Sequence, residues 1–154
     1  MKKRLLAVLL VLCVTFILLP IPARAEVETS GSCGENARWS FDETTNTLTI
    51  SGYGEMEDYK HTGESADCMT PSSPWFSENL AVEKVIIEEG ITRIGDCAFA
   101  SCSLLTEIEI PDTIKSIGSH AFEYCRVKSI YISRDLEEVA EGAFTRCYTI
   151  EKYP

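Results

Sequence analysis

Short stretches of alternating apolar and polar residues recur along the C-terminal half of the chain. The copies are VEKVIIE from residue 82, LTEIEIP from residue 105 and VKSIYIS from residue 127, and a shorter copy, IEKYP, starts at residue 150. Alternation places successive side chains on opposite faces of an extended chain, so each copy predicts a β-strand. The side chains expected on the inward face are Val85, Ile87, Ile108, Ile110, Ile130 and Ile132.

A second pattern follows each strand and aligns in three copies without a gap. These copies are ITRIGDCAFASC from residue 91, IKSIGSHAFEYC from residue 114 and LEEVAEGAFTRC from residue 136. The cysteine and the phenylalanine both recur at steps of 23 and then 22 residues. Such a period is typical of a solenoid, in which each coil buries its apolar side chains against its neighbours. We therefore expect a core ladder of Phe99, Phe122, Phe144, Cys102, Cys125 and Cys147.

The repeat divides the chain. Residues 82–154 form a predicted solenoid of three repeats and a final partial strand, mostly β-structure with short helical turns. Residues 26–81 do not repeat and predict an N-terminal β cap with a long loop. Within it, alternating residues on both sides of a polar turn indicate a β-hairpin whose apolar face covers the first coil. The alternating residues are Ala37, Trp39, Phe41, Leu48 and Ile50.

The N-terminus predicts export. A basic start at residues 2–4 precedes an apolar run over residues 5–19, which is too short to span a bilayer comfortably. With the small residues Ala23 and Ala25 at its end, residues 1–25 predict a signal peptide. We expect a secreted, extracellular protein, which could also be associated with the cell surface.

Charge excludes two classes of partner. The whole chain has 14 basic and 24 acidic residues, and removing the predicted leader leaves 10 basic and 24 acidic residues and a net charge of −14. Such a surface repels phosphate backbones and anionic lipids. We therefore expect neither nucleic acid nor, after signal cleavage, a membrane as a partner.

The cysteines predict one disulfide and one reduced column. Three thiols at the same repeat position cannot all pair with one another, so a reduced ladder is expected there. Cys33 and Cys68 lie outside the repeats and form the predicted disulfide, which would tie the long loop to the cap. Cys97 shares its repeat position with His120 and Gly142, and this variability predicts exposure.

The fixed residues of the repeat resemble a known family. Each repeat phenylalanine is followed three residues later by cysteine, Ile-Gly precedes the first two, and the strand phrase I-x-I-P stands at residues 108–111. These features resemble the BspA-type leucine-rich repeats of bacterial surface and secreted proteins. Residues 30–59 and the Pro-Trp-Phe at residues 74–76 also resemble the region that often precedes such repeats. The resemblance implies a leucine-rich-repeat solenoid used in adhesion or protein binding, without catalytic residues.

The function predicted from these observations is binding of an extracellular protein, which could be a host protein, through the exposed face of the strands. The residues expected on that face are Lys84, Ile86, Glu107, Glu109, Ser129 and Tyr131. Exposed aromatic and aliphatic side chains among charges are typical interface anchors. We expect no cofactor and no metal.

Several alternatives stay open. The chain could be a structural cell-envelope module or a remnant of a longer repeat protein. A thiol enzyme using Cys68 with His61 is a remote alternative, because no orienting residue accompanies the pair. Carbohydrate binding is also open, although Trp39 and Trp75 are better explained as core. The final strand, residues 150–153, has an open edge that predicts self-association.

Overall fold

The computed structural model describes residues 28–60, 71–76, 80–128 and 130–147. The predicted leader, the centre of the long loop and the final partial strand lie outside these residues. The described chain contains nine strands. They are β1 (Ser30–Ser32), β2 (Ala37–Asp42), β3 (Thr47–Gly52), β4 (Gly54–Glu55), β5 (Lys84–Ile87), β6 (Ile91–Ile94), β7 (Glu107–Glu109), β8 (Ser116–Ile117) and β9 (Glu138–Val139).

Five strands form the first sheet, sheet A, in the order β1-β2-β3-β5-β7. Strands β1, β2 and β3 are antiparallel and form the predicted hairpin with one added edge strand. Strand β3 then pairs in parallel with β5, and β5 pairs in parallel with β7. The cap therefore does more than cover the first coil, because its strand β3 continues the sheet of the repeats.

Four strands form a second sheet, sheet B, in the order β4-β6-β8-β9, with parallel pairing throughout. This sheet was not predicted. We expected the chain to re-enter the core after each polar turn, and it does so through Ile91, Ile94, Ile114 and Ile117, which are all buried. Because these residues are spaced by three, their pattern did not show the alternation that identifies a strand.

The core is a column of aromatic rings that runs along the solenoid. Trp75 stacks on Phe99 at a centroid distance of 5.7 Å, Phe99 on Phe122 at 5.3 Å, and Phe122 on Phe144 at 5.3 Å. Trp39 of the hairpin meets Trp75 edge to face at 5.9 Å. Rings 4.5–7 Å apart in offset or edge arrangements attract each other in addition to the area they bury. The predicted phenylalanine ladder is thus observed, and the cap extends it.

The predicted short helical turns are absent from the described part of the chain. Instead, each coil makes successive hydrogen-bonded turns, such as Ala98 N–H to Gly95 O and Cys102 N–H to Phe99 O. A residue with a left-handed backbone recurs about every fourth position, and such a residue ends a helical run. These residues are Cys97 and Ser101 in the first coil, His120 and Tyr124 in the second, and Gly142 and Arg146 in the third.

The three coils differ in how completely they are buried. We define the first coil as residues 82–104, the second as 105–126 and the third as 127–147. In the third coil Val139 is 47% exposed and Ile132, which we expected inside, is 42% exposed. The described residues between 127 and 132 form no strand. Sheet A therefore loses its regular pairing after β7, although Lys128 N–H still donates to Thr106 O.

Across the described ranges, no helix has the length and apolar character that crossing a bilayer requires.

Candidate protein-binding face

The outer face of sheet A is fixed by strand register. Val85 and Ile87 of β5 and Ile108 of β7 point into the core and are buried. The residues between them must point outward. Parallel pairing places Lys84 beside Glu107 and Ile86 beside Glu109. Four of the six residues predicted for the binding face, Lys84, Ile86, Glu107 and Glu109, therefore lie together on two neighbouring strands.

Lys84 and Glu109 make a diagonal ion pair across these strands. Lys84 Nζ lies 2.6 Å from Glu109 Oε1. The hydrogen bond to Glu109, together with the charges of Glu109 and Glu107, raises the pKa of Lys84. Ile86 is half-buried and both glutamates are exposed. The face thus presents a partly covered aliphatic side chain beside a fixed ion pair and one further carboxylate, Glu107.

The outer face also continues onto the cap. Register places Thr47 beside Lys84 and Thr49 beside Ile86, and both threonines are half-buried. We missed these positions because we expected the hairpin to lie over the end of the stack. The alternation of Leu48 and Ile50 with these threonines was the available signal. The candidate surface is therefore wider than the repeats and has hydroxyl groups on its N-terminal side.

The two remaining predicted residues belong to the third coil. Tyr131 is 64% exposed, but the stretch around it pairs as no strand, so register does not place its side chain on the outer face of sheet A. Ser129 lies outside the described residues. The structure thus supports a continuous face from the cap to the second coil, with an exposed tyrosine beyond its C-terminal edge.

The cysteine ladder lies inside the turns and is reduced. Cys102, Cys125 and Cys147 are free. The Cys125 thiol donates to Phe99 O at 3.0 Å, and the Cys147 thiol donates to Phe122 O at 2.9 Å. The thiols of Cys125 and Cys147 therefore each donate a hydrogen bond to the preceding coil. Burial raises the pKa of Cys102 to about 12 and that of Cys125 well above its usual value, so these thiols are poor nucleophiles.

The predicted disulfide between Cys33 and Cys68 is wrong. Cys33 is a free, fully buried thiol in the cap, and burial raises its pKa to about 12. Cys97 is the disulfide-bonded cysteine.

The reason for the error is that Cys97 is buried, whereas we expected it to be exposed. The variability of the position shared by Cys97, His120 and Gly142 predicted exposure. The three residues instead share a left-handed backbone conformation. Glycine adopts that conformation without strain, and its presence in one copy was the signal that could have identified the position.

The remaining chemical candidates offer no centre in the described residues. His61 and Cys68 both lie outside them. Within the described ranges, no group of three or more His, Cys, Asp or Glu residues is arranged to hold a metal ion. Trp39 and Trp75 are buried, and the Trp75 indole donates to Ala98 O at 2.8 Å, so neither ring presents a face for stacking on a sugar.

Comparison with protein families gives one match. A family model described as BspA type Leucine rich repeat region (6 copies) matches residues 72–153, which is more than half of the 154 residues. The match begins before the first coil and therefore includes the end of the cap. None of the curated proteins compared matches the chain.

Solved structures of three bacterial proteins are similar to this chain. A leucine-rich repeat protein from Eubacterium ventriosum is 26% identical, with a TM-score of 0.63 over 75% of this chain and 29% of its own. One from Bacteroides capillosus is 17% identical, with a TM-score of 0.45 over 81% and 96%. A leucine rich cell surface protein from Faecalibacterium prausnitzii is 13% identical, with a TM-score of 0.38 over 80% and 54%. The chain thus spans less than a third of the Eubacterium protein.

Proposed function

The chain belongs to the BspA-type leucine-rich-repeat family, and we propose that it is a secreted or cell-surface protein-binding module without catalytic activity. Its partner in this proposal is an extracellular protein, bound through the outer face of sheet A. The single observation that carries the proposal is the continuous outer face, which runs from Thr49 of the cap to Glu109 of the second coil.

The chemistry of this face supports protein binding. Ile86 is an aliphatic side chain at its centre, and the Lys84–Glu109 ion pair and Glu107 surround it with charge. Interfaces commonly combine a small apolar anchor with a polar rim. Tyr131 is 64% exposed and adds a second anchor beyond the C-terminal edge of this face.

Two sequence features support the extracellular location. The predicted leader over residues 1–25 would export the chain, and the net charge of −14 that remains would keep the mature protein soluble. A disulfide at Cys97 is consistent with an oxidising compartment. Adhesion to a host protein is a narrower form of the same proposal.

A second candidate function is a structural role in the cell envelope through self-association. The exposure of Ile132 and Val139 favours it, because an open coil end is an apolar surface that another coil could cover. In this alternative, the predicted strand at residues 150–153 would provide the pairing edge. Light scattering separates the two candidates, since only self-association makes the apparent mass rise with protein concentration.

Binding is tested with the mature chain as bait against extracellular proteins, followed by affinity measurements on the captured protein. We expect Ile86→Ala to weaken binding by about tenfold or more, as truncation of an interface anchor does, and Tyr131→Ala to weaken it less. Tyr53→Ala is the matched control, because Tyr53 is 63% exposed but lies in the turn between β3 and β4.

The three variants separate the outcomes. If Ile86→Ala binds as tightly as the wild type while Tyr53→Ala binds weakly, the contact surface is on another side of the molecule and the proposal fails. Equal losses in all three variants would also contradict it, because the loss of affinity would then not depend on the outer face of sheet A.

A further inference from the structure

One carboxylate is buried between the second and third coils. Glu123 is only 1% exposed, although its repeat position holds Ala100 in the first coil and Thr145 in the third. Burying a carboxylate is costly unless the charge is paired and hydrogen-bonded. An alanine would fill this position at no such cost, so the glutamate needs an explanation other than packing.

The carboxylate of Glu123 faces the imidazole of His120 and the guanidinium of Arg146. His120 Nδ1 of the same coil lies 2.9 Å from Oε2, and Arg146 Nη1 of the third coil lies 3.3 Å from Oε1. Arg146 also donates to the Tyr124 hydroxyl, and its guanidinium lies 5.1 Å from the centre of the Tyr124 ring. The arginine of the third coil therefore reaches back to two side chains of the second.

Backbone geometry fixes this arrangement. His120, Tyr124 and Arg146 all have a left-handed backbone, with φ of 54°, 61° and 56°. The direction of each of these side chains is therefore set by the conformation of the turn that carries it. Tyr124 and Arg146 occupy the same repeat position, which stacks one over the other in successive coils.

Elsewhere the third coil is held less firmly than the first two. Its strand β9 pairs with β8 over two residues, as β8 does with β6, but the described residues between 127 and 132 form no strand in sheet A. Phe144 and Leu136 are half-buried, and Val139 is exposed. Local opening is expected where few apolar contacts hold an element. The contacts of Arg146 with Glu123 and Tyr124 add side-chain ties to the backbone hydrogen bonds that join these coils, such as Phe122 N–H to Ala143 O.

We propose that the contact between Glu123 and Arg146 is an electrostatic latch that controls detachment of the third coil. While the two charges are paired, the coil stays docked on Phe122 and Cys125. Removing Arg146 leaves the buried Glu123 carboxylate without the guanidinium of the third coil, which is strongly destabilising. The third coil then opens as a unit, whereas the cap and the first two coils stay folded.

The thiol ladder provides the measurement. Cys125 is fully buried between Cys102 and Cys147, so it becomes accessible to a small alkylating agent when the third coil opens. Cys102 lies one coil further in and reports opening of the rest of the solenoid. Brief exposure of the folded mature chain to iodoacetamide, followed by peptide mass spectrometry, gives the alkylation rate of each thiol.

The variant Arg146→Met should raise the alkylation rate of Cys125 by about tenfold or more, which corresponds to losing one hydrogen bond to a buried charge, and leave the rate at Cys102 unchanged. Arg126→Met is the matched control, because Arg126 is an exposed arginine of the second coil. Arg146→Lys keeps the positive charge, so the alkylation rate of Cys125 in this variant should be much closer to the wild-type rate.

A second variant guards against misfolding. Glu123→Gln removes the charge while keeping the shape of the side chain. It should also raise the alkylation rate of Cys125. Combined with Arg146→Met it should add little, because both changes break one contact. The latch is overturned if Cys125 reacts at the wild-type rate in both single variants. The latch is also overturned if the alkylation rate of Cys102 rises as much as that of Cys125, since the whole solenoid then opens together.

Discussion

The first two coils and the third coil are built from the same repeat, yet they are packed very differently. Ile94 and Ile117 are buried in sheet B, whereas Val139 at the same position is 47% exposed. Phe99 and Phe122 are fully buried, and Phe144 is half-buried. The difference shows that the repeat sequence supplies the apolar side chain but the neighbouring coil determines its burial.

The cap provides that neighbour at the N-terminal side. Trp75 stacks on Phe99, and its indole donates to Ala98 O. Strand β3 pairs with β5 in sheet A, and β4 pairs with β6 in sheet B. The cap therefore extends both sheets and the aromatic column beyond the first coil. No described element does the same beyond the third coil.

The largest expected effect comes from the phenylalanine column. Phe99→Ala removes a ring that contacts Trp75 on one side and Phe122 on the other, so it should lower the free energy of unfolding by about 3–5 kcal/mol. Phe144→Ala removes a half-buried ring and should cost clearly less. Urea unfolding followed by tryptophan fluorescence measures both. Equal losses would mean that the third coil is as well packed as the first.

A glycine position gives the second test. Gly95 and Gly118 occupy the position that Ala140 fills in the third coil. A Cβ on Gly95 would overlap the Glu57 carbonyl of the cap, and one on Gly118 would overlap Asp96. We expect Gly95→Ala to cost about 1–3 kcal/mol, because a rigid backbone group has to move.

The reciprocal change is the control for that test. Ala140→Gly should cost below about 1 kcal/mol, since it mainly increases the conformational freedom of the unfolded chain. Chemical denaturation of both variants compares the two positions directly. If Gly95→Ala unfolds at the wild-type denaturant concentration, the close approach of the cap to the first coil is not a constraint.

Much of this fold follows from periodicity. The inward positions Val85, Ile87 and Ile108 and the phenylalanine ladder could be predicted, because strand alternation and repeat spacing determine which side chains point inward. The resemblance to BspA-type repeats gave the same architecture independently. The predicted contact residues on β5 and β7 lie together for the same reason.

The remainder depends on contacts that a single repeat does not contain. The disulfide at Cys97 was not predicted, because counting the thiols outside the repeats selected Cys33 instead. Sheet B arises from pairing between successive coils at residues spaced by three. Ile132 is exposed although alternation predicted an inward side chain, and the described residues between 127 and 132 form no strand.

The smallest expected effect concerns the polar tie between the cap and the first coil. The Asp58 carboxylate accepts hydrogen bonds from the backbone N–H of Asp96 at 2.9 Å and from Arg93 at 2.6 Å. Asp96 in turn accepts the backbone N–H of Ser119 in the second coil at 2.9 Å. Desolvation raises the pKa of Asp58, but these hydrogen bonds and the charge of Arg93 outweigh it, so the pKa lies below its usual value.

Because the pKa of Asp58 is lower in the folded state than in the unfolded state, the carboxylate stabilises the fold above its ordinary pKa of about 3.9. That stabilisation is lost as the pH falls through the lowered value.

Asp58→Asn should therefore reduce the free energy of unfolding at pH 7 by less than about 1 kcal/mol, because the carboxylate is more than half exposed. The difference from the wild type should shrink near pH 3. Unfolding by urea at both pH values measures it, with Asp135→Asn in the third coil as the control that should match the wild type at each pH. A deficit that stayed the same at pH 3 would show that Asp58 acts through its shape and not its charge.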